Sequence, residues 1–300
     1  MLSVLIPTYN YVCKNLVIDL QKQAESLGIA YEILVADDAS DLYYKEQNRC
    51  INKLKNCRYI ELEHNIGRAR IRNLLAAEAQ YTYFLFMDCD GQVISSHFIK
   101  DYLNCIPKAK VVCGGIVQPA QMPSKTVSLR YRYEKHAEKR FTAERRRQNP
   151  YGEFRSFNFL ISKEIFNAHP FDETMVDYGF EDTLLGRALK ESNIPICHIN
   201  NPLMNNDLET NDIFLRKTLI SLQTLYKYQK VLEGYSGVLS LYHKLRKCKL
   251  TSFVAQCYNM CSPLIQRNLR GSHPSLTLFK FYKIGCFCEI ACRKNINITN

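Results

Sequence analysis

The sequence predicts an α/β protein, with a mostly parallel central sheet covered by helices on both faces and a helical C-terminal extension. Three observations predict it. Short apolar runs alternate with helix-patterned stretches through the first 115 residues, as in successive βαβ units. The chain has 300 residues, 46% of them hydrophobic, enough to bury a real core and too many for a disordered chain or a disulfide-stapled miniprotein. The net charge of +11 is segmental: ten Lys/Arg face one acid, Glu289, from Lys244 to Asn300, and nine face three from Lys125 to Arg147. The remaining body therefore leans acidic.

Leu2 to Ile6 is apolar apart from Ser3 and reads as a buried strand. Leu16, Val17, Leu20, Ala24 and Leu27 then mark one helix face that stops at Gly28. Glu32 to Ala36 and Arg58 to Leu62 are the second and third strands. Gly67 to Ala79 reads as a helix and Tyr81 to Met87 as the fourth strand. Ser96 to Ile106 reads as a helix capped by its serine, followed by a fifth strand at Val111 to Gly115. After Gly115 a Pro-containing stretch leads into Arg130 to Arg147, where a basic helix and a mobile loop both fit. Phe157 to Ile161 is again a strand, and Thr183 to Glu191 a short helix. Asn211 to Glu233 is a long amphipathic helix with Leu215, Leu219, Leu222 and Tyr226 on one face and Gly234 closing it. Beyond Leu241 the chain is basic, Cys-rich, aromatic and helical in parts. The expected division is a body of 1–240, in halves 1–115 and 116–240, and a tail of 241–300.

Thirteen cysteines, an odd number, sit in apolar runs such as Val-Val-Cys113-Gly-Gly, so reduced thiols in a cytoplasm are expected. Met1 to Pro7 lacks the basic and apolar regions of a signal peptide. No window is apolar over the 18 or so residues of a spanning helix. Pro274 to Cys292 comes nearest and is broken by Lys280, Lys283 and Glu289. Cys257, Cys261, Cys286, Cys288, Cys292 and His273 could suggest zinc. Their spacings differ from paired C-x2-C modules, and buried helix cysteines are the expectation.

A parallel sheet binds ligands beyond the C-terminal ends of its strands. The fourth strand runs into Asp88-Cys89-Asp90, the first into Pro7-Thr8-Tyr9-Asn10, and the second into Asp37-Asp38-Ala39-Ser40-Asp41. One Asp-X-Asp alone also fits a solvated turn. Three such ends on one edge form a convergent site, with hard oxygens for a divalent cation and a ring to stack on a base.

In this order, Ser3-Val-Leu-Ile-Pro-Thr-Tyr-Asn10, Glu32-Ile-Leu-Val-Ala-Asp-Asp-Ala-Ser-Asp41, Asn65-Ile-Gly67 with Arg72-Asn73, and Asp88-Cys-Asp90 resemble the motifs of the family 2 glycosyltransferases, which have a GT-A, Rossmann-like fold. The resemblance covers about residues 1–235. It implies a nucleotide-sugar-binding half in 1–115 and an acceptor-binding half in 116–240. Pro7, Thr8 and Tyr9 would then line the donor nucleotide, Tyr9 against the base, and Asp38 would bind the base edge. Arg72 would approach the diphosphate or the adjoining acidic loop. Asp88 and Asp90 would hold the ribose and a Mn2+ or Mg2+ bridging the diphosphate, Asp90 as direct ligand. His198 resembles a late histidine used near the metal, although a strand-end His is also an ordinary polar cap. Tyr178-Gly-Phe-Glu181-Asp182 resembles the family's Gly-x-Glu-Asp motif, which makes Asp182 the catalytic base and Glu181 its support or an acceptor contact. Asn158 takes an acceptor-side position.

The implied reaction is an inverting, metal-dependent transfer of a sugar from a nucleotide-diphosphate donor, a UDP-sugar first, to a hydroxyl of a saccharide or lipid-diphosphate-linked acceptor in polysaccharide or glycoconjugate biosynthesis. Two other readings stand beside it. A nucleotidyltransferase would want a Gly-rich phosphate loop after the first strand, where Pro7-Thr8-Tyr9-Asn10 has no glycine. A non-catalytic basic module would use Arg145-Arg146-Arg147 and the tail, but no nucleic-acid motif accompanies them, so no specific nucleic acid is expected. In the tail, Phe279, Phe281, Tyr282, Ile284, Phe287 and Ile290 interleave with Lys280, Lys283, Arg293 and Lys294. Residues 245–300 are therefore expected either to lie on an anionic membrane surface or to pack against the body. The first alternative makes this a cytoplasmic protein, peripheral at the inner face of the plasma membrane.

Overall fold

The computed structural model describes residues 1–174 and 178–296, with side chains through Arg293. In chain order the elements begin with β1 (Leu2–Thr8), α1 (Lys14–Ser26), β2 (Tyr31–Asp37), α2 (Leu42–Asn48), β3 (Cys57–Glu61), α3 (Arg68–Glu78), β4 (Tyr83–Met87), β5 (Gly91–Val93) and α4 (Phe98–Leu103). They continue with β6 (Val111–Cys113), β7 (Ile116–Val117), α5 (Ser128–Glu138), α6 (Ala143–Gln148), β8 (Asn158–Ser162), α7 (Lys163–Ala168), α8 (Glu181–Glu191), β9 (Cys197–His198) and β10 (Leu203–Asn205). The last four are α9 (Asn211–Lys227), α10 (Gly237–Lys247), α11 (Thr251–Arg270) and α12 (Leu276–Ile296). By its contacts the chain forms two units, one of 1–118, 138–176 and 181–207, the other of 119–137, 177–180 and 208–300.

The first unit is the α/β body. Its seven-stranded sheet has the order β3-β2-β1-β4-β8-β6-β9 and is parallel except for β8, which runs against both β4 and β6. Alternate residues of one strand feed opposite faces. Val4 and Ile6 of β1 pack with Leu16, Val17 and Leu20 of α1, while Leu5 packs with Ile71 and Leu75 of α3. Both faces are therefore covered, which is why β1, β2 and β4 are largely apolar runs, with Ser3 of β1 and Glu32 of β2 hydrogen-bonded to each other. On the α3 side Phe86 of β4 stacks on Phe159 of β8 at 5.0 Å. A small second sheet, β5-β10-β7, lies beyond the fourth strand in sequence.

Some boundaries differ from the sequence expectation. The helix expected over 96–106 is confined to α4, and Ser96 does not cap it: its hydroxyl meets the His97 ring at 3.2 Å. Gln23 of α1 takes over that work, its Oε1 accepting from the Ile99 N–H at 3.1 Å. Arg130 to Arg147 forms two helices, the second capped by Thr142, which accepts from Arg145 N–H. The long helix stops at Lys227, ahead of a run of turns over 228–235 in which Gly234 takes φ +83°.

The second unit is helical, and α12 is its core. Phe279, Tyr282, Ile284 and Phe287 are all buried. Phe279 meets the rings of Tyr133 at 5.3 Å and Phe214 at 5.4 Å, and Phe287 meets Tyr242 at 5.0 Å. This corrects one expectation for the tail: these rings pack inside the protein and are not available to a membrane. The Lys294 side chain and residues 297–300 lie outside the described residues. All thirteen cysteines are free, with Cys286 and Cys288 buried. Among the described residues no helix is long and apolar enough to cross a membrane.

Candidate active site

The parallel pairing of β2, β1 and β4 brings the ends of three adjacent strands to one edge. At the first two ends the backbone is cross-linked. Asn10, at φ +50°, donates its N–H to Ser40 Oγ at 2.7 Å, and its own Oδ1 accepts from Asp41 N–H at 2.8 Å. Both turns are thereby fixed around Tyr9, whose ring stands 55% exposed at the edge. Pro7 pairs with Ala36 inside the sheet. Thr8 is buried, with its hydroxyl donating to Tyr11 O at 3.2 Å. Asp38 accepts from Ile66 N–H at 2.7 Å on one oxygen and from Gly67 N–H at 3.1 Å on the other. In this structure Asp38 therefore positions the loop that opens α3, where Gly67 takes φ +87°.

That loop aims α3 at the end of β4. Arg72 is buried, and its guanidinium donates to Asp88 Oδ1 at 2.5 Å and to Arg68 O at 3.0 Å. One turn earlier, Arg68 reaches Asp88 Oδ2 at 3.7 Å and Glu181 at 2.7 Å. The end of β4 and the start of α8 are thus within reach of one guanidinium. Asp90 lies two residues further on. Burial first, and then the Asp88 charge, push its carboxyl up to about 7.

Glu181 and Asp182 form the first turn of α8, after Gly179 at φ +101° and Phe180 at φ +72°. A bulky residue at positive φ is strained, and such strain persists where the surroundings require it. Asp182 Oδ1 accepts from Thr183 N–H at 2.8 Å. Burial raises the Asp182 carboxyl above its ordinary range, with Arg155 opposing and Glu181 reinforcing the shift.

Two expected site residues are not available. His198 is fully buried on β9, three strands from β4 across the sheet. Its Nε2 bonds Pro150 O at 2.8 Å and its Nδ1 faces Arg146 Nη1 at 3.4 Å, so both nitrogens are used inside the protein. Asn158 stands at the right edge, opposite Met87, but its amide is committed. Nδ2 donates to Gly115 O at 2.5 Å and Oδ1 accepts from Tyr102. Each side chain fills a polar requirement of the sheet, which explains a polar residue in an apolar run without a ligand role.

Sequence reasoning missed Arg68 and Asp207. Asn206 N–H bonds Asp90 O at 2.9 Å, which puts the next residue, Asp207, among the charges that raise Asp90. Tyr11 is pushed up to about 12, by burial first and then by Asp207 and Asp90. The signal was present: Asn205-Asn206-Asp207 follows a short apolar run, as Asp88 follows β4. Beside this turn lies a cavity of about 430 Å³ lined by Tyr11, Asp19, Lys22, Cys89, Gln92 and Asn206, among others.

No three His, Cys, Asp or Glu among the described residues form a complete ligand set. Asp88 and Asp90 nevertheless fit a hard divalent cation, because Mg2+-type sites need only one or two carboxylates when substrate phosphates supply the rest.

A mostly parallel sheet with carboxylates at its C-terminal edge, beside a helix that opens on Glu-Asp, defines the class of open-sheet α/β proteins, whose ligands bind at that edge. The sequence profile of the Glycosyl transferase family 2 matches residues 3–169, more than half of the chain, and the protein belongs to that family. A stretch of 107 residues is 30% identical to the teichoic acid poly(glycerol phosphate) polymerase of Staphylococcus epidermidis, covering 34% of this chain and 14% of that protein. Another comparison matches 91 residues at 36% identity to the chondroitin synthase of Escherichia coli, covering 30% of this chain and 13% of that protein. The chain thus matches only a small part of each relative's length. Among solved structures, the mannosyltransferase PcManGT from Pyrobaculum calidifontis, in complex with GDP-Man and Mn2+, has a TM-score of 0.56 at 12% identity, over 98% of this chain and 86% of that one. The shared fold is GT-A.

Proposed function

We propose that this protein transfers a sugar, with inversion, from a nucleotide-diphosphate donor to a hydroxyl of a saccharide or lipid-diphosphate-linked acceptor. The observation that carries this reading is the Arg68 bridge between Asp88 and Glu181, because it joins the donor-side carboxylates to the acceptor-side helix start. Tyr9 offers its exposed ring to the base, with Pro7, Thr8 and Asp38 shaping the turns around it. Arg72 holds Asp88 in place for the ribose. Asp90, with Asp88, would hold Mn2+ or Mg2+, which when bound neutralises charge on the departing nucleoside diphosphate.

Asp182 takes the proton. As the acceptor oxygen bonds the anomeric carbon, the bond from that carbon to the diphosphate oxygen breaks, and the hydroxyl proton passes to the Asp182 carboxylate. A carboxyl raised by burial is a stronger base than an ordinary one. Attack from the side opposite the leaving group inverts the anomeric centre. The two curated relatives, one named as a polymerase and one as a synthase, support a role in polymer biosynthesis. With a lipid-linked acceptor the enzyme works in the cytoplasm, at the inner face of the plasma membrane.

The test screens nucleotide sugars, UDP-sugars first, for release of nucleoside diphosphate with Mn2+, Mg2+ or chelator present. The expected result is one preferred donor, loss of release with chelator, and at least about a hundredfold loss in Asp90→Asn. Release that ignores both chelator and Asp90→Asn overturns the metal-assisted reading.

A further inference from the structure

With the α12 rings buried, the apolar surface of the helical unit lies elsewhere. On α11 the inner face, Ala255, Tyr258, Ile265 and Leu269, is buried. Tyr258 seats its ring against Phe281 and Tyr282 of α12. The other face is also apolar. Phe253 is 62% exposed, Met260 83% and Leu264 70%, and with Cys257 they recur at the three- and four-residue spacing that keeps side chains on one stripe. Leu250, also exposed, extends the stripe at its N-terminal end. A soluble surface does not ordinarily leave such side chains contiguous in water.

Along α10, α11 and the turn between them the charge has one sign. Lys244, Arg246, Lys247 and Lys249 are all exposed and immediately precede it, and Lys249, at φ +57°, turns the chain into α11. Exposed Arg267 closes its other end. From Gly237 to Arg270 the sequence contains no Asp or Glu. A second copy of this face would bring cations against cations. An anionic bilayer takes the apolar side chains into its interface and the cations onto its headgroups.

We propose that the outer face of α11, with the four cations before it, is a docking surface for an anionic lipid membrane. Its use rests on the proposed function, a membrane-borne acceptor, but the binding does not depend on transfer, so the test reads binding alone. The full chain is sedimented with phosphatidylcholine vesicles, with and without about one-third phosphatidylglycerol. Two variants accompany it, F253S/M260S/L264S and K244Q/R246Q/K247Q/K249Q. All these side chains are exposed, and circular dichroism checks that both variants keep the fold.

The expected result is binding to the anionic vesicles only, weakened by added salt. Binding falls at least about tenfold in the first variant and more than about a hundredfold in the second, at roughly fivefold per cation. Equal binding to both vesicle types, or binding unchanged in either variant, overturns the proposal. So does a wild-type dimer, lost in the first variant, that ignores vesicles. Sugar transfer onto a soluble acceptor, read as release of nucleoside diphosphate and measured alongside, separates failure of this surface from failure of the proposed reaction.

Discussion

The Arg72 guanidinium lies 2.5 Å from Asp88 Oδ1, with the Arg72 side chain only 3% exposed and the carboxylate 19%. Arg72 also lies over the Phe171 ring at 5.6 Å, so the cation is fixed from two sides. Removing it leaves Asp88 with the longer Arg68 contact at 3.7 Å. Breaking a largely buried ion pair from one side strands the other charge. Arg72→Met is therefore expected to cost about 3 kcal/mol of stability, measured by urea unfolding. The double variant Arg72→Met/Asp88→Asn should recover part of that loss. No recovery would mean that Arg72 acts by packing alone.

If Asp182 is the base, Asp182→Asn keeps donor binding and loses transfer, by roughly 10²–10⁴-fold. The pH profile adds a sign. A base works ionised, and burial has raised this carboxyl. On the acid side kcat/KM should therefore fall as pH drops through a value above about 3.9, the ordinary aspartate value. A variant that transfers normally, or a profile flat across that limb, assigns the proton to another group.

The body of the fold was legible because the central strands β1, β2 and β4 are buried on both faces and so read as largely apolar runs. The edge was legible for the same reason, since Asp88 is conspicuous after Tyr83 to Met87. The errors come from polar side chains that satisfy the interior. His198 and Asn158 look like ligands in a linear chain, and only the fold shows Pro150, Arg146, Gly115 and Tyr102 taking up their polar atoms. The tail misled in a similar way. Aromatic residues interleaved with lysines fit an interfacial helix or a core helix, and which one depends on neighbours as distant in sequence as Tyr133.

Gly285 gives the helical unit a sharp test. A Cβ at this position would stand 2.5 Å from Tyr258 Cγ, inside the ring that joins α11 to α12. Tyr258 has little room to yield: its hydroxyl accepts from Cys286 Sγ at 3.0 Å, and the Tyr282 ring meets it edge-on at 6.0 Å. Gly285→Ala should destabilise the protein by about 1–3 kcal/mol through overpacking, despite the better helix propensity of alanine. Stability equal to or above wild type in thermal unfolding would show that the ring has another place to go.

His198 should write a pH dependence into stability. Burial first, and then the charges of Arg146, Arg147 and Arg155, lower its pKa to about 4, although its bond to Pro150 O works the other way. The unfolded chain takes up this proton near pH 6.5, whereas the folded protein does so only near 4. Between those values the unfolded state holds the extra proton, so stability rises with pH. The contribution is complete above about pH 6.5 and is lost as pH falls towards 4, with a slope of at most about 1.4 kcal/mol per unit. His198→Gln keeps a donor for Pro150 O and an acceptor for Arg146 but cannot titrate. Urea unfolding at neutral pH and in mild acid should show the variant losing less stability than wild type. Parallel losses in the two proteins would place the acid sensitivity on other groups.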